Sequence, residues 1–368
     1  MKKLYIFIAL FLTSGIAFAQ SDADVLRFSR TLPLGTARSA AMSGAFGALG
    51  GDTLNVNPAG IGVFRKSEVS MTLSPDFGNT KSGGQTAHDN SFQLGDIGFV
   101  ISLYNPNFDW KGINFGINYT NMNNFNRHTT QAIPNAPNSF SQYLAQDING
   151  LIAYVLNQNP TANLEDYFND LQWMGIQSNY ILSDNENKDN PYYEPAIIGA
   201  NQTKIIKEDG YQGEYAFSFG TNYKDKLYLG ITIGLQNIYY KMRSLYTETP
   251  DQNNPYELEY FNFEERLKTT GVGTNFKFGV IYRPIPELRL GATIHTPTYY
   301  SMTDTYDSGM LTKYKFPVNG VTEYPSSTSY KYDYDLKTPW KAILSVAGVI
   351  QQKAILSFDY EYVNYSSA

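Results

Sequence analysis

Strict two-residue alternation governs most of the chain after residue 67. In LYLGITIGLQ, Leu227, Leu229, Ile231, Ile233 and Leu235 alternate with Tyr228, Gly230, Thr232, Gly234 and Gln236, so one face is aliphatic and the other small or polar. INFGINYT sets Ile113, Phe115, Ile117 and Tyr119 against Asn114, Gly116, Asn118 and Thr120. The same pattern runs through EYAFSFGTN, NFKFGVIYR and AILSFDYEYVNY, where Phe217, Phe278 and Phe358 stand on the apolar face. A period of two belongs to the β-strand, whose side chains point alternately to opposite faces. Alternation does not say which face meets water. A soluble sandwich buries the aliphatic face in a core, whereas a membrane barrel turns it to lipid and lines its lumen with the polar face.

Three features favour an all-β transmembrane antiparallel β-barrel. Several strands exceed the roughly 9–11 residues that cross the hydrocarbon when tilted. Their ends are rich in Tyr, Phe and Trp, as interfacial girdles require. Their connections alternate between short (105–112, 224–226, 283–287 and 351–353) and long (about 78–92, 124–212, 243–268 and 303–327). Outer-membrane barrels keep short turns periplasmic and long loops outside, which orients the chain. About nine strands are expected, from near Glu68 to near Tyr365. A closed bacterial barrel uses an even number, so the sequence reads as C-terminally truncated, with further strands after Ala368.

The ends and the composition agree with this destination. Lys2 and Lys3, the apolar run Leu4 to Leu12 and the small residues Ala17 and Ala19 around Phe18 form a secretory signal peptide over residues 1–19, cleaved after Ala19. Its removal would take the formal charge from −6 to −8, which excludes a basic nucleic-acid-binding surface. There is no cysteine to form disulfides or hold metal, and no apolar run long enough for a membrane-spanning helix. With 30 Tyr, 22 Phe and 3 Trp, the chain carries the amphipathic rings that suit membrane–water interfaces. No Gly-x-Ser-x-Gly elbow is present, no acidic group orients His295, and the glycines of 44–51 precede no P-loop lysine, so an enzyme is not expected. No cofactor or metal is expected either.

The stretch 124–212 is too long for simple linkage and carries two helical patterns. Tyr143, Leu144, Ile148, Leu151, Ile152 and Val155 share one stripe. Asn163 is placed to cap a second helix, with Leu164, Tyr167, Phe168, Leu171 and Met174 on its apolar face. Two readings stay open. The helices form a self-packed lid on the barrel mouth, or Leu144, Ile148, Leu151, Phe168 and Leu171 line an exposed groove that receives an apolar ligand.

One glycine-rich stretch, GALGGDTLNVNPAGIGVFRKSE (47–68), has neither strand nor helix periodicity. With the residues before it, ARSAAMSGAFGALGGDTLNVNPAGIGVF (37–64), it resembles the N-terminal hatch of the FadL-type outer-membrane transporters of long-chain fatty acids and other hydrophobic compounds. The family's Asn-Pro-Ala motif is matched by Asn57, Pro58 and Ala59, followed by Gly60. GVGTNFKFGVIYRPIPELRLGATIHTPTYYSMTD and the later TPWKAILSVAGVI with AILSFDYEYVNYS resemble hairpins of the same barrel. The resemblance implies a fourteen-stranded barrel over 67–368 with a hatch segment over 20–66 in its lumen. It implies a ligand caught at a surface groove, a pocket lined by residues such as Phe46 and Phe64, and release when the hatch shifts.

A fatty-acid carboxylate would need a cation, for which inward-facing Lys277, Arg283 and Arg289 are candidates by strand parity. Arg38, Arg65 and Lys66 flank the hatch. The physics of a plug is consistent with its composition. Glycine permits close approach to the wall, Pro58 fixes its own φ and extends Asn57, and the Asn57 amide both donates and accepts. The expected partners are a hydrophobic small molecule and outer-membrane lipid, with the protein a monomer. Alternatives are a haemin or aromatic-hydrocarbon receptor, although His88, His128 and His295 show no paired ligand spacing, and a structural or adhesive barrel.

Overall fold

The computed structural model of the 368-residue chain describes residues 22–31, 36–51, 56–184, 192–250, 257–318, 321–350 and 353–365. The expected signal peptide and the link at 351–352 lie outside these residues. Four α-helices are described, α1 Asp22–Ser29, α2 Ala37–Ala41, α3 Phe140–Gln158 and α4 Asp170–Gln177, with 3-10 helices at Pro58–Val63 and Leu164–Tyr167. The strands are β1 Glu68–Ser82, β2 Gln85–Tyr104, β3 Trp110–Asn124, β4 Arg127–Ala136, β5 Ile181–Asp184, β6 Tyr192–Pro195, β7 Ala200–Tyr223 and β8 Leu227–Pro250. They continue as β9 Leu258–Ile285, β10 Leu288–His295, β11 Tyr299–Val318, β12 Val321–Lys337, β13 Lys341–Ile350 and β14 Ala354–Val363.

All but β5 and β6 belong to one curled antiparallel sheet in which each span pairs with the next in sequence. Three spans are interrupted. β3 and β4 both pair with β7, β10 and β11 both pair with β9, and β12 and β13 continue one another beside them. Counted as spans, the sheet has the nine that the alternation indicates, and β1 and β14 are its two ends.

Two of the interruptions fall at Thr-Pro pairs. Proline lacks the N–H that a ladder needs, and threonine hydroxyls take over neighbouring bonds. Thr296 Oγ1 accepts from Phe276 N–H at 2.9 Å, and Thr338 Oγ1 accepts from Thr298 N–H at 2.9 Å.

The faces are inverted relative to a soluble sandwich. Val69, Met71, Leu73, Phe115, Ile117, Ile231, Ile233, Phe276, Phe278, Leu344 and Phe358 point outward and are exposed, and no second sheet covers them among the described residues. Aromatic pairs bracket this band on β3 and β7. Trp110 meets Tyr223 at 5.0 Å near the short turns, Phe115 meets Phe219 at 5.2 Å, and Tyr119 meets Tyr215 at 4.9 Å beyond them. The distance from Trp110 to Tyr119 matches the ~9–11 tilted residues of a hydrocarbon crossing. The concave face instead buries Asn114, Asn118, Glu214, Ser218, Thr232, Gln236, Asn275, Lys277, Thr293 and His295.

The long connections differ from expectation, because the strands run far past the apolar band. The expected loop at 78–92 is a hairpin closed by Gly83 and Gly84 (φ +54° and +78°), a conformation glycine adopts freely. Most of 243–268 and 303–327 is likewise strand. The helical insertion occupies 137–199 rather than 124–212, since β4 and the start of β7 extend the wall on either side of it. Beyond the apolar band the alternation fades while the hydrogen-bonded ladders continue.

Within the insertion, Ser139 caps α3 by accepting from Gln142 N–H at 3.0 Å. A 3-10 turn begins at Leu164 with Asn163 at its N-cap position, and the α-helix itself begins at Asp170. Asn163 makes no side-chain cap bond, whereas Asn169 and Gln172 exchange reciprocal 3.0 Å bonds in a capping box.

Candidate functional site

The curled wall encloses its own N-terminal segment. Asn57 caps a 3-10 turn over Pro58–Val63, its Oδ1 accepting from Ala59 N–H at 3.0 Å. Pro58 occupies the first turn position, where a missing N–H costs nothing. The Asn57 amide nitrogen donates to Gly47 O at 2.7 Å and to Val280 O of β9 at 3.2 Å. One side chain therefore ties together two parts of the segment and the wall. Pro58, Ala59, Gly60, Ile61 and Gly62 are all buried.

The wall offers this turn a floor without side chains. Gly220 of β7, Gly230 of β8 and Gly279 of β9 are directly paired in register across three adjacent strands. Asn114 of β3 and Thr293 of β10 extend the row on either side. A Cβ on Gly220 would collide with Ile61, one on Gly230 with the Pro58 carbonyl, and one on Gly279 with the Asn57 amide oxygen. Asn114 closes the near end, its amide donating to Ile61 O at 2.6 Å and to Phe64 O at 3.0 Å. Ser102 Oγ also donates to Phe64 O, at 3.0 Å.

Residues 42–51 lie against the other end of the wall. Gly47 N–H donates to Asp359 Oδ2 of β14 at 2.9 Å, and the Arg289 guanidinium donates to Leu49 O. Phe46, Ala48 and Leu49 pack on Ala347 of β13, with Met42 beside them and Arg38 over the Phe46 ring at 5.4 Å. His295 Nε2 holds Val56 O at 3.0 Å.

Above this plug lies a polar layer. Lys277 is ion-paired with Glu214, and their side chains are 2% and 0% exposed. Glu214 Oε2 also accepts from Gln236 Nε2 at 2.6 Å and from Asn275 Nδ2 at 3.1 Å. Beside α1 lies a cavity of about 40 Å³, lined by residues including Phe28, Gln236, Lys277, Thr298 and Lys341. That volume holds a few waters and no lipid chain. The α1 carbonyl of Phe28 accepts from Gln212 at 3.1 Å, and its ring packs with Ile238, Tyr240, Tyr300, Met302 and Leu336.

The residues singled out in the sequence fall into distinct places. Asn57, Pro58, Ala59 and Gly60 form the centre of the plug, and Phe46 and Phe64 anchor its two ends to the wall rather than lining open space. Lys277 and Arg289 face inward, the first neutralised by Glu214 and the second bound to the plug. Arg283 reaches the turn-side margin of this site, where its side chain meets Tyr228, a ring that packs on Ala59 of the plug. It lies at the β9–β10 turn, where its Nε donates to Pro286 O at 3.3 Å. Arg65 is likewise at the turn end, 3.4 Å from Asp225.

Leu144 and Ile148 are fully buried in the core between lid and upper wall, against partners such as Phe261 and Met310. Phe168 and Leu171 pack on that core and Leu151 is half-buried, so the insertion is a packed lid and these side chains form no open groove. His88 pairs with Asn79 on the β1–β2 hairpin, remote from His295. The glycine row, Asn114, Glu214 and Asp359 escaped the sequence reading. Their only linear signal is glycine at polar-face positions, as in LYLGITIG.

A wall that is apolar outside and polar inside, with the chain's own N-terminal segment seated in its concavity, defines the class: a barrel-like antiparallel β-sheet carrying an internal plug. No protein-family profile and no curated protein matches the chain. Among solved structures, it is similar to the Ralstonia pickettii toluene transporter TbuX over 92% of this chain and 94% of that one, at 9% identity and a TM-score of 0.18. A TM-score this low does not establish a shared fold.

Proposed function

We propose that the chain is the wall and hatch of an outer-membrane barrel that takes up a hydrophobic small molecule, with long-chain fatty acids as the first candidate class. The observation that carries the reading is the seat. An Asn-Pro-Ala turn fills a side-chain-free row on the inner wall, while the outer wall exposes a belt of aliphatic and aromatic residues. Soluble proteins rarely expose so extensive an apolar surface, and a purely structural barrel has no need of a fitted plug.

In this reading residues 1–19 are removed on export, 20–66 form the hatch, and 67 onward form the wall. The barrel works as a monomer. Ligand meets the lid first and enters the lumen when the lid loosens. It then passes when the hatch leaves its seat.

The test is uptake of labelled oleate, with labelled toluene as a parallel arm, in cells carrying or lacking the intact protein. Faster uptake of oleate supports the fatty-acid class, and faster uptake of toluene alone redirects it to aromatic hydrocarbons. Equal uptake of both in the two strains refutes transport of hydrophobic compounds.

A further inference from the structure

We infer that the outer face of β7, β8 and β9 carries a docking site for a phosphate-bearing lipid of the outer leaflet. Its phosphate lies on Lys207, Lys241, Arg243, Arg266 and Lys268, and its acyl chains lie on the apolar belt below them. The inference rests on the outer-membrane reading above and concerns the outside of the wall, away from the plug.

Register builds the site. The outward positions of β8 run through Leu229, Ile231, Ile233 and Leu235, then Asn237 and Tyr239, then Lys241 and Arg243. Arg243 pairs with Lys207 of β7 and with Arg266 of β9, which sets three cations side by side in one row. Two positions nearer the belt, Lys241 pairs with Lys268. Neighbouring strands lie about 4.8 Å apart and successive rows on one face about 7 Å apart, so the five side chains spring from a patch of roughly 10 by 7 Å. All five are exposed.

Like charges directly opposite one another destabilise a sheet. The composition does not force them here, because the chain as a whole carries a formal charge of −6. Nor do carboxylates balance them. Asp209 pairs in register with Lys241, and Glu264 accepts from Arg243 and from Arg266 Nε, the latter at 2.8 Å. The five cations thus meet two carboxylates on these three strands, and Asp307 of β11, in register with Arg266, bounds the patch. The side chains of Arg243 and Arg266 stay 58% and 59% exposed, so each guanidinium keeps donors for a further anion. Cations at the opposite end of the belt are matched instead. Lys111 and Arg65 share Asp225, and Lys224 meets Asp109.

Height selects the partner. An apolar band of ~25 Å takes about ten residues of a tilted strand, the stretch from Leu229 to Tyr239. The Tyr211 and Tyr239 rings, 6.2 Å apart, close that band, and Lys241 Nζ stands 5.2 Å from the Tyr239 ring centre. The patch therefore lies at head-group level on the side away from the short turns, where a basic cluster attracts anionic lipid. A lipid fits better than a soluble anion, because exposed Ile233 and Phe276, themselves paired in register, continue the surface downward as a bed for acyl chains.

The full-length protein, purified in detergent, is titrated with monophosphoryl lipid A and with the same glycolipid lacking phosphate, and bound lipid is read by native mass spectrometry. The parent should bind the phosphorylated form at least about tenfold more tightly, and less tightly as ionic strength rises. K207Q/K241Q/K268Q should lose this preference, with heat-modifiable migration checking its fold. K313Q/K315Q/K337Q, which removes as many lysines from β11 and β12, should stay within about twofold of the parent. Equal binding of the two lipids by the parent, or equal losses in the two triple variants, overturns the inference. Displacement of the lipid by excess inorganic phosphate marks a soluble-anion site and overturns it as well.

Density-gradient fractionation of cells carrying the full chain tests the outer-membrane reading by itself. Recovery away from the outer membrane overturns both, whereas recovery there without a phosphate preference overturns this inference alone. Neither measurement uses oleate or toluene uptake, so failure of the transport reading is seen separately.

Discussion

Replacing Gly279 by alanine should unseat the 57–63 turn, and should do so far less in a chain that already lacks the Asn57 side chain. An added Cβ would fall on the Asn57 amide oxygen, with Asn57 Cγ and Pro58 Cδ each 3.0 Å away. Either β9 or the turn must move, and such overpacking costs ~1–3 kcal/mol. Asn57→Ala removes the bonds to Gly47 O, Val280 O and Ala59 N–H. Leaving buried partners unmet costs on the order of 1–3 kcal/mol per group. If the two sites were independent the costs would add. Here the new methyl enters the space that the amide vacated, so the double variant should cost little more than Asn57→Ala alone, a coupling on the order of 1–3 kcal/mol. Hydrogen exchange of peptides spanning 56–64 reads the local opening free energy. A loss of ~2 kcal/mol speeds exchange about 30-fold. Heat-modifiable migration of the barrel on gels serves as the control for an intact wall. Unchanged exchange in Gly279→Ala, or strictly additive costs, would refute the fitted-seat reasoning.

Other outcomes follow from the same geometry. Lys277→Met should lower the midpoint of heat-induced unfolding by stranding the Glu214 carboxylate, a loss of roughly 3–5 kcal/mol, and E214Q/K277M should recover most of it. Glu248 accepts from Phe140 N–H at 2.8 Å, Gln202 Nε2 at 3.1 Å, Tyr246 Oη at 2.5 Å and the Tyr180 hydroxyl. Glu248→Ala should therefore loosen the lid by on the order of 2–4 kcal/mol and expose 140–177 to protease while the barrel stays intact.

The turn after β7 should respond to acid. Burial pushes the Asp225 carboxyl up, but hydrogen bonds from Lys111 at 2.8 Å and Asn222 at 2.8 Å outweigh it and hold the group below the usual aspartate value. A depressed carboxyl stabilises the fold above its unfolded value of about 3.9 and loses that contribution as pH falls through the folded value. The protection of amides 222–227, taken as the intrinsic exchange rate at each pH divided by the measured rate, should fall from pH 5 to pH 2 in the parent and change less in Asp225→Asn.

The sequence by itself determined the strands of the apolar belt and their inward and outward faces, and it marked 57–64 as neither strand nor α-helix. Each of these is set by neighbours along the chain. A period of two in LYLGITIGLQ and the φ restriction of Pro58 act within a few residues, and both survive into the structure. The extent of the strands was not legible, because the upper parts of β8, β9, β11 and β12 lie beyond the apolar belt, where nothing requires an alternating outer face. That Asn163 leads only a short 3-10 turn while Asn169 starts the α-helix depended on which side chain could complete a reciprocal cap.

Tertiary structure alone decided the site. Gly220, Gly230 and Gly279 are scattered through three strands, and become one floor only when antiparallel register aligns them. Lys277 reads as a free cation until the fold brings Glu214 to it from 63 residues away, and Leu144 and Ile148 read as a groove until Phe261 and Met310 cover them. Local periodicity specifies which way a side chain points. Only the closing of the sheet specifies what it meets.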